Sequence, residues 1–200
     1  GGAAIAAAAE GQATWISMKA VLGGDLAIPN SWQLIRQQIR ENQNAMPRFS
    51  AAPMFIQESL LFPYLSGAEF ARRFVARGDK RSPLTALPVS TEQVLSEEAY
   101  FGAAPDAPTS VRLPGAARSG EYEEVMGEFG TRLFLYQHTR DNVSSVNAAH
   151  GWDGDRYRVS VSGGKRSVVW VSVWDTPVDA AQFVDGVGQA TLSRHRAGAG

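Results

Sequence analysis

The chain has 200 residues, of which 44% are hydrophobic, and its 19 Lys and Arg against 20 Asp and Glu give a formal net charge of −1. A chain of this size can bury a sizeable core, and its balanced charge excludes a nucleic-acid binder that works through a general basic field. Because the chain has no cysteine, disulfides, thiolate zinc sites, iron–sulfur clusters and a cysteine nucleophile are excluded as well.

The first part of the chain, residues 1–89, is predicted to be helical. Helices are predicted over residues 3–22, 31–46, 53–62 and 66–78. Pro63 is expected to end the third helix, since proline lacks the N–H that a helix interior needs. Ser66, with Glu69 at the third position, has the pattern of a capping box and is expected to begin the fourth.

Residues 90–120 are rich in proline and predict an irregular connection, with one or two capped helical turns at Ser90 and a short strand at Val111 and Leu113. The remainder, residues 121–195, predicts two helices, a hairpin and a last helix. These elements are helices over 121–140 and 142–150, strands over 156–162 and 166–175, and a last helix from Pro177.

These elements predict an α+β fold in one domain over residues 1–200. The first half is mainly helical, and an α-β-β-α unit with one antiparallel hairpin follows it. No apolar run approaches the roughly 18–20 residues that a transmembrane helix needs. The sequence has no internal repeat.

Most familiar catalytic and binding motifs are absent from the sequence, including HExxH, GxSxG, Walker A and a complete GxGxxG. The three histidines, His138, His150 and His195, lack a compact ligand spacing. Residues 153–156 (DGDR) are interpreted as a turn that carries an Asp–Arg pair before a strand. The glutamates of residues 121–128 are interpreted as the acidic start of a helix.

One short motif, Glu10-Gly11-Gln12-Ala13, points to a more specific chemistry. On a helix, Glu followed by Gly-x-Ala is the pattern with which gluzincin metallopeptidases supply the third zinc ligand. A carboxylate completes a site of two His and one Glu around a water-binding zinc, and the small residues let helices approach closely. Glu10 is therefore the candidate zinc ligand. The simpler interpretation is that Glu10 is a charged residue on the solvent-facing side of a helix.

The wider sequence resembles an uncharacterised bacterial family of zinc-metallopeptidase-like, gluzincin-type lipoproteins. The resembling blocks follow in order over roughly residues 10–185: Glu10–Trp15 (EGQATW), Ala52–Phe70 (APMFIQESLLFPYLSGAEF), Pro88–Tyr100 (PVSTEQVLSEEAY), Met126–Glu128 (MGE), Gly151–Tyr157 (GWDGDRY) and Val173–Phe183 (VWDTPVDAAQF). The resemblance implies an extracytoplasmic location, in the periplasm or as a membrane-associated lipoprotein.

Three departures from the family pattern bear on activity. The family's HExxH helix lies upstream of the EGxA segment, and this sequence does not contain it. Relatives often carry His where this chain has Ser96, and Asp where it has Gln12. Both replacements remove groups that could bind or orient a metal, and they favour a degenerate site.

We therefore expect a non-catalytic, peptidase-like scaffold or accessory subunit within a larger assembly of protein subunits. No catalytic residue and no cofactor is assigned to the chain. Nucleic acid is not expected as a partner, and membrane association would come through a partner or an N-terminal anchor outside this sequence.

Two alternatives stay open. In the first, the chain is the C-terminal portion of a zinc metallopeptidase whose HExxH segment lies upstream, with Glu10 as a zinc ligand. In the second, the chain is a peptide-binding module, and the hairpin offers an open strand edge to the peptide. Zinc is expected only with the upstream HExxH segment.

Overall fold

The computed structural model describes residues 1–22, 41, 46–78 and 82–197 of the chain. Its contacts divide the chain into two compact units, Gly1–Asp106 and Ala107–Gly200, which are described separately below. The helix predicted over residues 31–46 falls almost wholly outside the described residues. The single domain over residues 1–200 stays a prediction. Within the described residues, no helix combines the length and apolarity needed to cross a membrane.

The first unit is helical. Its helices are α1 (Gly2–Leu22), α2 (Pro47–Ser50), α3 (Met54–Ala76), α4 (Thr91–Leu95) and α5 (Glu97–Phe101), with a 3-10 turn at Pro83–Thr85. Ser90 caps α4 through its hydroxyl, which accepts from the Gln93 N–H at 3.0 Å. The capped turn predicted at Ser90 is therefore confirmed, and α5 is a further helix that the sequence did not predict.

Helices α1 and α3 cross at their smallest residues. A Cβ placed on Gly11 would lie 2.0 Å from the backbone carbon of Gly67, and one on Gly67 would lie 2.2 Å from the carbonyl oxygen of Ala7. The two backbones therefore touch at a distance that only glycine allows. This crossing explains why an alanine-rich helix is useful here, since Ala4, Ala7 and Ala8 are fully buried.

Helix α3 runs unbroken through Pro63, so the prediction that Pro63 ends one helix and Ser66 begins another is wrong. A proline in a helix interior costs about 3 kcal/mol. The side chains of Phe62 and Leu65 on either side are buried, and Leu65 belongs to a core cluster with Trp15 of α1. Burial on both sides of the proline offsets its cost. The predicted end near Gly78 is confirmed, because α3 ends at Ala76.

The second unit joins helices to a small sheet. Its elements are β1 (Tyr122–Glu124), α6 (Gly127–Thr139), α7 (Asn142–Ala149), β2 (Trp152–Ser162), β3 (Lys165–Trp174) and α8 (Pro177–Ala197). The sheet is antiparallel with the strand order β1-β2-β3. The α+β fold and its antiparallel hairpin are thus confirmed.

The start of the second unit differs from the prediction. Residues 122–124 form strand β1, with Tyr122 opposite Val159, where the start of a helix was predicted. Helix α6 begins only at Gly127, whose φ of 73° favours glycine. The glutamates of β1 therefore do not lie at a helix N-terminus. Val111 and Leu113, predicted as a strand, lie in irregular backbone.

The β2–β3 hairpin turns at Gly163 and Gly164, both with positive φ (56° and 75°), so Ser162 pairs with Lys165. Two such residues suit the tight turn that follows the natural twist of a hairpin. On one face of the sheet, Trp170 makes edge-to-face contacts with Phe134 of α6 and Phe183 of α8, at ring distances of 5.4 and 5.3 Å. These rings anchor the helices to β3.

Candidate functional site

Glu10 lies exposed on α1. Residues 1–106 contain no histidine, so a zinc site that includes Glu10 would take its imidazoles from outside the first unit. Zinc binding by Glu10 stays a prediction. Its neighbour Gly11 has the role that the motif implies for a small residue, because it lets α1 and α3 touch.

The two positions that depart from the pattern of the resembling family have structural partners. The hydroxyl of Ser82 donates to the side-chain oxygen of Gln12 at 2.8 Å. The hydroxyl of Ser96 accepts from the Ala99 N–H at 3.2 Å, which caps α5. An amide and a hydroxyl thus hold local structure at these two positions.

Asp155 is a buried carboxylate, 2% exposed, and the sequence did not identify its role. One oxygen accepts from the backbone N–H of Gly127 at 2.8 Å and the indole N–H of Trp152 at 3.0 Å. The other accepts from the backbone N–H of Met126 at 2.9 Å and the indole N–H of Trp170 at 3.0 Å. A carboxylate has about four acceptor positions, so Asp155 is saturated and holds the start of α6 against the hairpin.

The predicted turn at residues 153–156 is part of strand β2. Asp155 and Arg156 do not form the predicted ion pair, because neighbouring residues of a strand point to opposite faces of the sheet. Arg156 instead lies near Glu123 of β1, with a nitrogen–oxygen distance of 3.8 Å.

Glu128, in the first turn of α6, is also buried, at 2% exposed. One of its oxygens accepts from the Nε of Arg132 at 3.1 Å. Its other oxygen is buried with no hydrogen-bond partner among the described residues. Burial raises the pKa of the Glu128 carboxyl, while the charges of Arg132 and His150 act against that rise. A buried carboxyl of this kind is a candidate proton-transfer group, although structural ion pairs also perturb pKa values.

The raised pKa of Glu128 makes stability depend on pH. The folded protein holds the proton more tightly than the unfolded chain, so this contribution is fully present below the ordinary pKa of 4.5 and is lost as pH rises through the raised value. We expect Glu128→Gln to gain stability relative to the native protein between about pH 4.5 and pH 8. Urea unfolding across that range measures the effect. Glu98→Gln, at an exposed position, is the control, and an equal pH response in both variants would contradict the assignment.

A groove of about 420 Å³ lies within the second unit, on the sheet face opposite Trp170, where Val111 and Leu113 approach Glu123 and Arg156. The guanidinium of Arg158 donates to two of the lining residues, to the carboxylate of Glu123 at 2.7 Å and to the carbonyl of Gly115 at 2.7 Å. The Glu123 carboxylate is therefore already neutralised by arginine. The arrangement ties the irregular segment before β1 to the sheet.

The outer side of β3 is an accessible surface of the second unit. In the described part of the chain, β3 pairs with β2 and has no strand on its other side. Its apolar side chains stay accessible, since Val168, Val169 and Val171 are 62%, 58% and 43% exposed. The strand is ten residues long, and its only charges are Lys165 and Arg166 beside the turn.

The register shows which backbone groups face outward. After a two-residue turn, the residues that flank it form a hydrogen-bonded pair, and the pairs then alternate along the hairpin. Because Ser162 pairs with Lys165, the odd-numbered residues of β3 bond to β2. The even-numbered residues direct their N–H and C=O groups away from β2. We call this row, formed by Arg166, Val168, Trp170 and Ser172, the β3 edge.

The comparisons with known proteins bear on the second unit alone. Residues 113–199, less than half of the chain, match a domain of unknown function, DUF8575. Neither the curated proteins nor the solved structures include a match to this chain. The matched region contains Asp155, Glu128 and the β3 edge, so these features lie within the part of the chain that is similar to DUF8575.

Proposed function

We propose that this chain is a non-catalytic scaffold or accessory subunit, and that it binds another polypeptide strand through the β3 edge. The observation that carries this proposal is the long, apolar outer side of β3, which has no partner strand among the described residues. Natural edge strands are commonly short, interrupted by proline, bulged or charged along their length. β3 has none of these protections between Ser167 and Trp174, which supports a bound strand at this edge.

Strand addition explains both affinity and selectivity. The outward backbone groups of Val168, Trp170 and Ser172 would form the hydrogen bonds, which do not depend on sequence. The exposed side chains of Val169 and Val171 lie on the sheet face opposite Trp170. On that face they would contact the side chains of the added strand and favour apolar residues there. The peptidase-like origin and the extracytoplasmic location belong to the same proposal and rest on the sequence resemblance alone.

The acidic groups of the second unit support a structural role over a catalytic one. Asp155 is saturated by N–H donors, and Glu123 is paired with Arg158. Glu128 is paired with Arg132 through one oxygen. The carboxylates of Asp155 and Glu123 therefore have roles in holding the unit together.

The test uses a fluorescent peptide of alternating Val and Thr, ten residues long, as the extended probe. We expect the native chain to bind it, and Val168→Lys to weaken binding by about tenfold or more, because lysine on an edge opposes strand pairing. Fluorescence anisotropy with dilute chain measures the affinity.

Val143→Lys is the matched control, since Val143 is 68% exposed on α7 and Val168 is 62% exposed on β3. The same substitution there should leave peptide binding unchanged. Equal losses in the two variants, or no binding by the native chain, would overturn the proposal.

A further inference from the structure

We infer that the groove on the sheet face opposite Trp170 is a second binding site, and that its ligand is a small carboxylate with an apolar body. This inference is independent of the β3 edge, because it concerns other residues and another kind of ligand. Three features support it: arginine donors that are not in use, an excess of positive charge, and apolar walls.

Two arginines that line the groove have unused donors. Arg156 donates from its Nε to the carbonyl of Val111 at 3.4 Å, and its terminal nitrogens make no hydrogen bond to the described residues. Arg112 is exposed and has neither a hydrogen bond nor an ion pair within that part of the chain. The planar guanidinium group matches a carboxylate with two parallel hydrogen bonds. A carboxylate in the groove would therefore accept from donors that are already in place.

The charges at the groove do not balance. Arg158 and Arg156 share the one carboxylate of Glu123, at nitrogen–oxygen distances of 2.7 and 3.8 Å. The side chains of these two arginines are only 15% and 31% exposed. Arg112 adds a third positive charge. A partly buried cation without a matching anion is costly, so a bound anion would stabilise this arrangement.

The nearest further charges leave this excess in place. Glu121 accepts from the backbone N–H of Arg118 at 2.8 Å and from the hydroxyl of Ser160 at 3.0 Å. These hydrogen bonds lower the pKa of Glu121, and the charges of Arg158 and Arg118 lower it further. Glu121 and Arg118 contribute one charge of each sign, so together they do not neutralise the groove.

The apolar walls indicate what the carboxylate is attached to. Val111 is buried and Leu113 half-buried, and Ala116 and Ala117 line the groove beside them. The volume of about 420 Å³ lies within the range of about 300–1,000 Å³ that is usual for small-molecule sites, in which mostly apolar walls surround a few polar groups. These walls favour an acid with an apolar body over a bare inorganic anion.

The test uses 4-phenylbutyrate as the probe and reads the arginine Nε–H signals of the full chain by NMR. We expect the native chain to bind the probe, and Arg156→Gln to weaken binding by about tenfold or more. Arg112→Gln should weaken it by about threefold, since an exposed charge is better screened. Arg112 has no bond to break among the described residues, so this variant keeps the test valid if Arg156→Gln fails to fold.

Arg166→Gln is the matched control, because Arg166 is exposed and lies on the Trp170 face of β3, away from the groove. Equal weakening in this control would show a general effect of charge and overturn the inference. No binding by the native chain, or equal binding of the uncharged 4-phenylbutanamide, would overturn it as well. Acetate bound as tightly as the probe would overturn the apolar part of the ligand.

Two sources could supply such a carboxylate, a free acid or the C-terminus of a peptide. A tripeptide that ends in leucine is compared with its amide. Tighter binding of this peptide acid than of 4-phenylbutyrate, with loss in the amide, assigns the ligand to a chain terminus, and weaker binding assigns it to a free acid. Val168→Lys should leave probe binding unchanged, so the groove and the β3 edge are tested separately.

Discussion

Replacing Asp155 by Asn is expected to lower the free energy of unfolding of the second unit by about 4 kcal/mol. The substitution keeps the shape of the side chain but turns one carboxylate oxygen into an NH₂ group. That group would face two N–H donors in a buried site, either those of Gly127 and Trp152 or those of Met126 and Trp170. Each buried donor left without an acceptor costs about 1–3 kcal/mol.

Urea unfolding followed by tryptophan fluorescence measures this loss, because Trp152 and Trp170 both donate to Asp155. Asp153→Asn is the matched control. Asp153 is half-buried and accepts solvent-exposed hydrogen bonds from Thr109, so its replacement should cost about 1 kcal/mol or less. Similar losses from both substitutions would show that Asp155 does not hold α6 to the hairpin.

Gly67→Ala is expected to destabilise the first unit by about 3 kcal/mol. Its new Cβ would lie 2.2 Å from the carbonyl oxygen of Ala7 and 2.9 Å from the carbonyl carbon of the same residue. Both are backbone atoms, which cannot rotate away as a side chain can. Helices α1 and α3 would therefore have to move apart, and the buried contacts of Trp15 would loosen.

Amide hydrogen exchange across α1 and α3, together with urea unfolding, checks this prediction. Gly188→Ala is the control, because Gly188 lies in helix α8 with no atom within 4 Å of a new Cβ. There, alanine should be neutral or stabilising by up to about 1 kcal/mol, as its higher helix propensity predicts. Unchanged protection in α1 after Gly67→Ala would contradict the close crossing.

Local patterns predicted the elements whose signals lie within a few residues. Alternating valines on either side of Gly163-Gly164 predicted the hairpin, and the structure has it, although its first strand begins at Trp152 and not at Arg156. Ser90 predicted its capped turn, and Pro177 the start of the last helix. These signals depend on backbone propensity and side-chain spacing, which the sequence displays directly.

Elements decided by distant contacts were misread. Pro63 predicted a break, but the burial of Phe62 and Leu65, and the packing of Leu65 against Trp15 of α1, carry the helix through it. The acidic run at residues 121–124 predicted a helix start, but Tyr122 and Glu124 pair with β2, whose first residue is Trp152. In both cases the stabilising partner is far away in sequence, so the local pattern contained no trace of it.

The features of the candidate site also fall into those that the sequence determined and those that the tertiary structure decided. The sequence by itself determined an α+β chain without cysteine, with nearly balanced charge, a hairpin and an EGxA motif at Glu10. Only the tertiary structure decided that Asp155 accepts hydrogen bonds from two backbone N–H groups at the start of α6 and from two indoles. It also decided that β3 lies at an edge of the sheet in the described part of the chain. The physical reason is that saturation of a buried carboxylate, and the free side of a strand, are set by which distant segments meet there.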